Sequence, residues 1–358
     1  MLKYSFCNGW LLRSRQWITV TLLLVGAGTC HPLFGQSGSK TRTLFFEDTS
    51  VLNATITTDL GKLLRQKKSG YQFPGIFATV SPDGSRINDT IQLDIRGHFR
   101  KDYCYLPPVS VNFRYKKSAV LYKLGSLKLV SQCKTASVTF EQYLIKEFLV
   151  YKIYNLLTDL SFRVRLVKLN FVDDGGKKKD ISEYAFLLED LKDLAKRNNC
   201  AELKSAQLSQ ESTDRRQMTM VAIFEYMIGN LDWGVPVNHN TRLILAKDDS
   251  SARPFVIPYD FDYSGFVSTD YALPPENLDV QNVQERLYRG FARPLTEING
   301  VLAEFRAKKD TIYSLINHFP QLTNKSKKDL TGYLDDFYKT ISDPQRVENV
   351  FIKNARGE

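Results

Sequence analysis

Five polar side chains between Ile228 and Val267 have types and spacing suited to chemistry. The segment reads I-G-N-L-D-W-G-V-P-V-N-H-N-T-R-L-I-L, crosses a short polar gap, and resumes as P-F-V-I-P-Y-D-F-D-Y-S-G-F-V. Asp232 is followed within eight positions by Asn238 and Asn240. About twenty residues later Asp260 and Asp262 close a strand-like run. A carboxylate, an amide oxygen and a second carboxylate in this order are the groups that phosphoryl transfer uses. The first orients or deprotonates an attacking hydroxyl, and the others hold a hard divalent cation against the phosphates. On this reading Asp232 is the catalytic group. Asn240, Asp260, Asn238 and Asp262 are candidate ligands for Mg2+ or Mn2+, with ATP as phosphate donor. Taken singly, each of these residues reads as a turn or a helix cap. Jointly they end one apolar helix and flank two apolar strands, which places them to converge.

The same chemistry needs a strand lysine for the phosphates and often a helical glutamate to hold it. Lys128, in L-K-L-V, precedes a helix that carries Glu141 and Glu147. Glu147 lies in its more apolar part and is the candidate. The plainer alternative is an exposed lysine and an exposed helical acid. No G-x-G-x-x-G loop and no Walker loop is present.

The elements that must position these groups are legible from periodicity. Residues 44–120 are mostly short and extended. In T-I-Q-L-D-I, Ile91, Leu93 and Ile95 share a face, Val109 to Tyr115 alternates similarly, and Pro82-Asp83-Gly84 signals a tight turn. L-K-L-V at Leu127 to Val130 is a strand. Thr139 to Leu157 is a helix with Phe140, Leu144, Phe148 and Tyr151 at helical spacing. Phe162 to Val172 is a long strand that pairs back with Tyr184 to Leu188 as a hairpin. Its Arg163, Arg165 and Lys168 imply a wetter side. Leu191 to Arg197 and Met218 to Ile228 read as helices, a strand pair is inserted at 241–261, and helices dominate from Asn282 onward. This order predicts an α+β, two-lobed, atypical protein-kinase-like fold. A strand-rich N-lobe covers 44–190 and a mainly helical C-lobe covers 191–358, with the ligand in the crevice between them.

Composition bounds the partners. Of 358 residues, 43% are hydrophobic and 25% charged, as in ordinary globular proteins. The N-terminal stretch to Gln16 has three basic residues and no acid, and Trp17 to Gly28 is a twelve-residue, mostly apolar run. Such a run suits the core of a secretory signal and is short for a bilayer span. Residues 1–35 are therefore read as a signal peptide cut near Gly35, and 36–43 as a linker, with no transmembrane segment after cleavage. A lipoprotein form modified at Cys30, or an uncleaved anchor, are the other options. Removing Lys3, Arg13 and Arg15 leaves 46 basic and 39 acidic residues, a net charge of +7 against +10 for the whole chain. That balance favours anionic partners such as phosphates or envelope polymers. Nucleic acid is not indicated, because no basic stripe with interleaved aromatics occurs. The runs Arg65-Gln66-Lys67-Lys68 and Lys177-Lys178-Lys179 read as solvated loops. Beyond the leader the cysteines are Cys104, Cys133 and Cys200. Export permits one disulfide, and Cys104 with Cys133, each ending a strand-like run, is the preferred pair; three free thiols is the alternative. With only His98, His239 and His318 beyond the leader, a zinc site is not expected.

Several motifs together resemble the CotH-type spore-coat kinase family and, more distantly, the HipA-like atypical kinases. They are R-G-H-F-R at Arg96 to Arg100, C-Y-L-P-P at Cys104 to Pro108, L-K-L-V-S-Q-C at Leu127 to Cys133, E-Q-Y-L-I-K-E-F-L-V-Y-K-I-Y-N at Glu141 to Asn155, and S-F-R-V-R-L-V at Ser161 to Val167. G-N-L-D-W-G, N-H-N, P-Y-D-F-D-Y-S-G, and V-Q-E-R-L-Y-R-G at Val283 to Gly290 follow. The similarity spans roughly residues 44–295 and looks closest to a secreted branch. It implies a kinase-like fold using ATP and a divalent metal, with Asp232 in the catalytic position and Asn240 and Asp260 as metal ligands. One departure is in spacing: HipA-like kinases place the metal asparagine about five residues after the catalytic aspartate, and Val237 stands there in this chain. Asn238 or Asn240 must serve through a longer loop. The expectation is an exported, periplasmic or extracellular kinase acting on a protein or envelope acceptor. The alternative is a non-catalytic kinase-like binding protein of the envelope, favoured by the scarcity of ATP outside the cytoplasm. Asp260-Phe261-Asp262 as the D-x-D of a glycosyltransferase is a third reading, weakened by the absence of doubly wound strand–helix alternation.

Overall fold

The computed structural model describes residues 45–356 other than 69, 82–83, 98, 114–120, 205–206 and 250. The signal peptide 1–35, the linker 36–43, Pro82 and Asp83 of the tight turn, and His98 therefore lie outside the described residues. The described residues all lie within one compact unit.

Seven strands close into a barrel in the order β1-β2-β3-β4-β5-β7-β6. They are β1 (Leu52–Thr58), β2 (Gln72–Val80), β3 (Arg86–Ile95), β4 (Val109–Asn112), β5 (Ser126–Ser131), β6 (Val164–Asp173) and β7 (Ile181–Leu188). Neighbours pair antiparallel except at the closure, where β1 runs parallel to β6 with Leu52 opposite Val167 and Thr58 opposite Asp173. Alternation along each strand sends one set of side chains inward, where Ile56, Phe77, Ile91, Leu93, Val111, Leu129, Leu169 and Leu187 fill the interior. At one end of β6 and β7 the outward side chains are apolar as well. Val164, Leu166, Phe186 and Leu188 pack in the second core with the long helix Val138–Leu157. A strand end covered on both faces loses polar alternation, which is why Tyr184 to Leu188 reads as an unbroken run of aromatic and aliphatic residues.

The second core runs from that helix through the helix Arg215–Ile228 to the C-terminal helices Leu295–Asn317 and Asn324–Ser342. From Gln217 to Ile228 every residue is buried. Asp214 caps its N-terminus by accepting from the Gln217 amide, and Gly229 ends it in the left-handed conformation at φ +63°. Only glycine fits there, since a Cβ would lie 2.0 Å from the Tyr333 hydroxyl. A three-stranded antiparallel sheet follows, β10-β9-β8, from β8 (Cys200–Glu202), β9 (Thr241–Ala246) and β10 (Phe255–Pro258).

This architecture overturns the expected two-lobed kinase-like fold. The N-terminal strands do not form the open sheet of a small lobe, because β1 and β6 join its two edges and close it. The C-terminal part is not simply helical, since it contains its own sheet. The outward side chains of β6 and β7 share one core with the C-terminal helices, so apolar packing is continuous across the expected division at 190. The individual elements stand close to where periodicity put them: the strand at Leu127–Val130, the helices Val138–Leu157 and Leu191–Arg197, and the pair β9 and β10. Arg165 departs from its expected wet side. It is buried, pairs with Asp48 and stacks on Phe45.

Candidate active site

Asp232 sits three residues beyond Gly229, on the turn that leaves the buried helix. Its amide donates to Asn230 Oδ1 at 3.0 Å, which shapes the turn. The chain then makes a small hairpin, in which Gly234 and His239 exchange both backbone hydrogen bonds at 2.9 Å. That closure returns Asn240 to Asp232: Asn240 Nδ2 donates to the Asp232 carbonyl at 2.7 Å and to its Oδ2 at 3.0 Å. His239 Nε2 lies 2.6 Å from the other carboxylate oxygen, Oδ1. The long spacing between Asp232 and Asn240 is therefore taken up by the Gly234–His239 hairpin.

Asn240 is carried directly into β9, and β9 pairs with β10. The Tyr259 amide donates to the Asn240 carbonyl at 3.0 Å, setting Asp260 beside it. The Asp260 amide in turn donates to the Tyr151 hydroxyl at 2.9 Å, which ties the end of β10 to the long helix. Between the two aspartates Phe261 is fully buried, 4.8 Å from the Tyr151 ring and 5.8 Å from Phe224. Asp262 is buried on the far side of that anchor. Its Oδ2 accepts from Tyr271 at 2.9 Å and lies 3.8 Å from Arg100. Asn238, Asn240 and Asp260 all have positive φ, at 51°, 51° and 66°. Asn238 spends its backbone on the hairpin, its amide donating to Val235 and its carbonyl accepting from Arg242.

The charges around these groups are dense. Arg100 lies 3.7 Å from Glu147, which is buried on the long helix, and donates to the Ser131 carbonyl at 2.6 Å. Lys128 projects from β5 over the Tyr259 ring at 4.8 Å, and Arg242 covers the same ring at 4.6 Å. Burial and the neighbouring charges of Arg96 and Arg242 push the Lys128 ammonium down to about 8, with Asp260 acting the other way. Burial raises the Glu147 carboxyl well above its usual range; the nearby Asp262 charge adds to this and Arg100 opposes it. Burial and the charge of Asp260 raise Asp262 to about 6. Arg96 feels the Asp260 charge, and its Nε is enclosed with no hydrogen-bond partner.

The structure thus joins Asp232, Asn240 and Asp260 through direct hydrogen bonds and backbone pairing, with Lys128, Glu147 and Asp262 around Asp260. Lys128 and Glu147 do not form an ion pair with each other: Glu147 is held by Arg100, and Lys128 stacks on Tyr259. Arg96, Arg100, Tyr151, Tyr271 and His239 belong to this constellation as well. Sequence reasoning left out all five, although R-G-H-F-R carried the only signal for the two arginines.

Among the described residues no group of three or more His, Cys, Asp or Glu side chains forms a ready metal cage. A hard ion needs less than that here. Mg2+ commonly takes one or two carboxylates and completes its shell with water and substrate phosphates. Asp260 supplies a carboxylate. Asn240 has its amide nitrogen turned to Asp232, which leaves its Oδ1 as the free donor. This oxygen set fits Mg2+ or Mn2+, whereas Asp262 is already engaged by Tyr271 and Arg100. Comparison with known proteins adds nothing to this geometry, since no protein-family model and no curated protein matches the chain.

Proposed function

We propose that this protein transfers a phosphoryl group from ATP to a hydroxyl of a protein or envelope acceptor, outside the cytoplasm, as a CotH-like kinase would. The observation that carries the reading is the convergence of Asp232, Asn240 and Asp260 beside the cations Lys128, Arg96 and Arg242. Asp232 is the group for the acceptor hydroxyl. His239 and Asn240 grip its two carboxylate oxygens and so fix its direction. Lys128 and Arg96 face the acidic end of β10 and present positive charge to phosphates. Asp260 and Asn240 Oδ1 would hold the metal, which neutralises phosphate charge when bound. The Cys104–Cys133 disulfide suits an oxidising compartment and supports export.

A second reading, binding without transfer, is favoured by one observation. Arg100 occupies both Glu147 and Asp262, so Glu147 does not hold Lys128. The test measures ATP and Mn2+ binding by calorimetry and γ-phosphate transfer to envelope proteins and glycans. Under the kinase reading Asp232→Asn binds nucleotide like the parent and loses transfer. Binding without any transfer by the parent protein moves the conclusion to the second reading, and no binding with any divalent metal removes both.

A further inference from the structure

The motif V-Q-E-R-L-Y-R-G takes no part in the chemistry above, yet both of its arginines reach the backbone that carries Asp232. Arg286 Nε donates to the Met227 carbonyl at 3.2 Å, in the last turn of the buried helix. Its guanidinium also donates to the Tyr333 carbonyl and lies 3.7 Å over the Tyr333 ring. Arg289 reaches further round the same turn. One of its nitrogens donates to the Leu231 carbonyl at 2.6 Å and to the Trp233 carbonyl at 2.7 Å, the residues on either side of Asp232. The guanidinium lies 5.3 Å from the Trp233 ring centre. Leu231 and Trp233 are buried, so their carbonyls need a donor from the protein. Glu225 is enclosed on the same helix, close enough to Arg289 for the two to interact.

We propose that Arg289 is the positioning residue of the Asp232 turn: by gathering the Leu231 and Trp233 carbonyls on one nitrogen, it fixes the direction of the Asp232 carboxylate between them. Arg286 secures the helix end from which the turn departs. A lysine at 289 replaces a planar nitrogen, whose two N–H groups point in fixed directions at the two carbonyls, with a freely rotating ammonium on a flexible stem, and holds the two carbonyls less well. The consequence for transfer rests on the phosphoryl-transfer reading; the clamp itself does not.

The chain contains three tryptophans, Trp10, Trp17 and Trp233. In the full-length chain carrying Trp10→Phe and Trp17→Phe, Trp233 alone emits, and it reports on the turn without any assay of activity. Arg289→Met is expected to shift Trp233 emission to the red and raise its quenching by acrylamide, with Arg289→Lys intermediate. In Arg289→Ala, non-denaturing guanidinium should restore the parent emission where the same concentration of sodium chloride does not. If the parent transfers phosphate, Arg289→Lys should lose kcat, by up to about 100-fold for an ångström-scale misplacement, while Mn2+–ATP affinity stays at the parent value. Unchanged Trp233 emission and quenching in both the Met and Lys variants overturns the proposal, and so does a change that guanidinium does not reverse. Should Arg289→Met fail to fold, the lysine variant and the guanidinium rescue decide. A parent chain that transfers no phosphate defeats the proposed function and leaves the Trp233 result standing.

Discussion

Asp260 and Asn240 share a left-handed backbone, at φ +66° and +51°. Asp and Asn enter this region more readily than other side chains but still at some cost, and the β9–β10 pairing holds both there. The two differ in what they offer a cation: Asp260 a full charge, Asn240 a dipole. Asp260→Asn should therefore weaken Mn2+-dependent nucleotide binding more than Asn240→Ala does, measured as Kd by calorimetry on folded protein. The opposite order would mean that the amide, not the carboxylate, carries the metal. Asn240→Ala also disturbs Asp232, because Asn240 is its direct hydrogen-bond partner.

At the scale of elements, the buried helix Arg215–Ile228 contains one acid at its centre of packing. Glu225 is enclosed, and burial, with a smaller push from the Asp232 charge, raises its carboxyl from 4.5 to about 8, with Asn230 and Arg289 pulling the other way. Between these values the folded protein holds a proton that the unfolded chain has released. Its contribution to stability is therefore fullest at low pH and falls as pH rises through that window. Glu225→Gln removes the slope. Its unfolding free energy from urea titration should match the parent's near pH 5 and exceed it near pH 8.5, by on the order of 4 kcal/mol. Glu183 and Asp262 titrate over part of the same range, so the comparison with the parent is what isolates Glu225. Equal midpoints at both pH values would show the carboxylate to be solvated. The helix itself was legible because Met218 to Ile228 is apolar but for Thr219 and Glu225 and stops at Gly229, and β3 was legible because Ile91 and Leu93 alternate with polar residues. Arg96 and Arg100 were not, since an arginine beside a short helix has no period to betray it. The Asp232–Asn240–Asp260 set was legible as residue types in order. Its geometry depended on a hairpin closing between Gly234 and His239, which propensity does not announce.

At the scale of the whole molecule, the expected pairing of Cys104 with Cys133 is present, with Cα atoms 4.4 Å apart, while Cys200 is a buried free thiol. The first cysteine follows the short helix Phe99–Tyr103 rather than ending a strand, and the second lies two residues past β5. The bridge ties the segment of Arg100 to the strand of Lys128, reinforced by the Tyr105 amide on the Cys133 carbonyl at 2.9 Å. For the 29-residue separation, loss of the bridge should cost about 3 kcal/mol of stability. Cys104→Ser with Cys133→Ser, followed by urea unfolding, measures it; an unchanged midpoint would make the bridge ornamental. What no local pattern could reveal was the barrel closure, because Leu52 and Val167, which pair at the seam, stand more than a hundred residues apart in the sequence.

That closure also sets an order in time. The hairpin of β1 with β2 and the pairing of β2 with β3 are local and can form as soon as those residues are available. The other edge of β1 must wait for β6, which arrives only after the long helix Val138–Leu157 has been made. Until then the growing chain presents an open row of amides and carbonyls, the surface on which strands of separate molecules join. Contacts so distant in sequence form slowly, because the intervening loop must close first. The seam between β1 and β6 is thus expected to be the slow step of the barrel, and the interval before it shuts the one in which this protein is most exposed to association with its own copies.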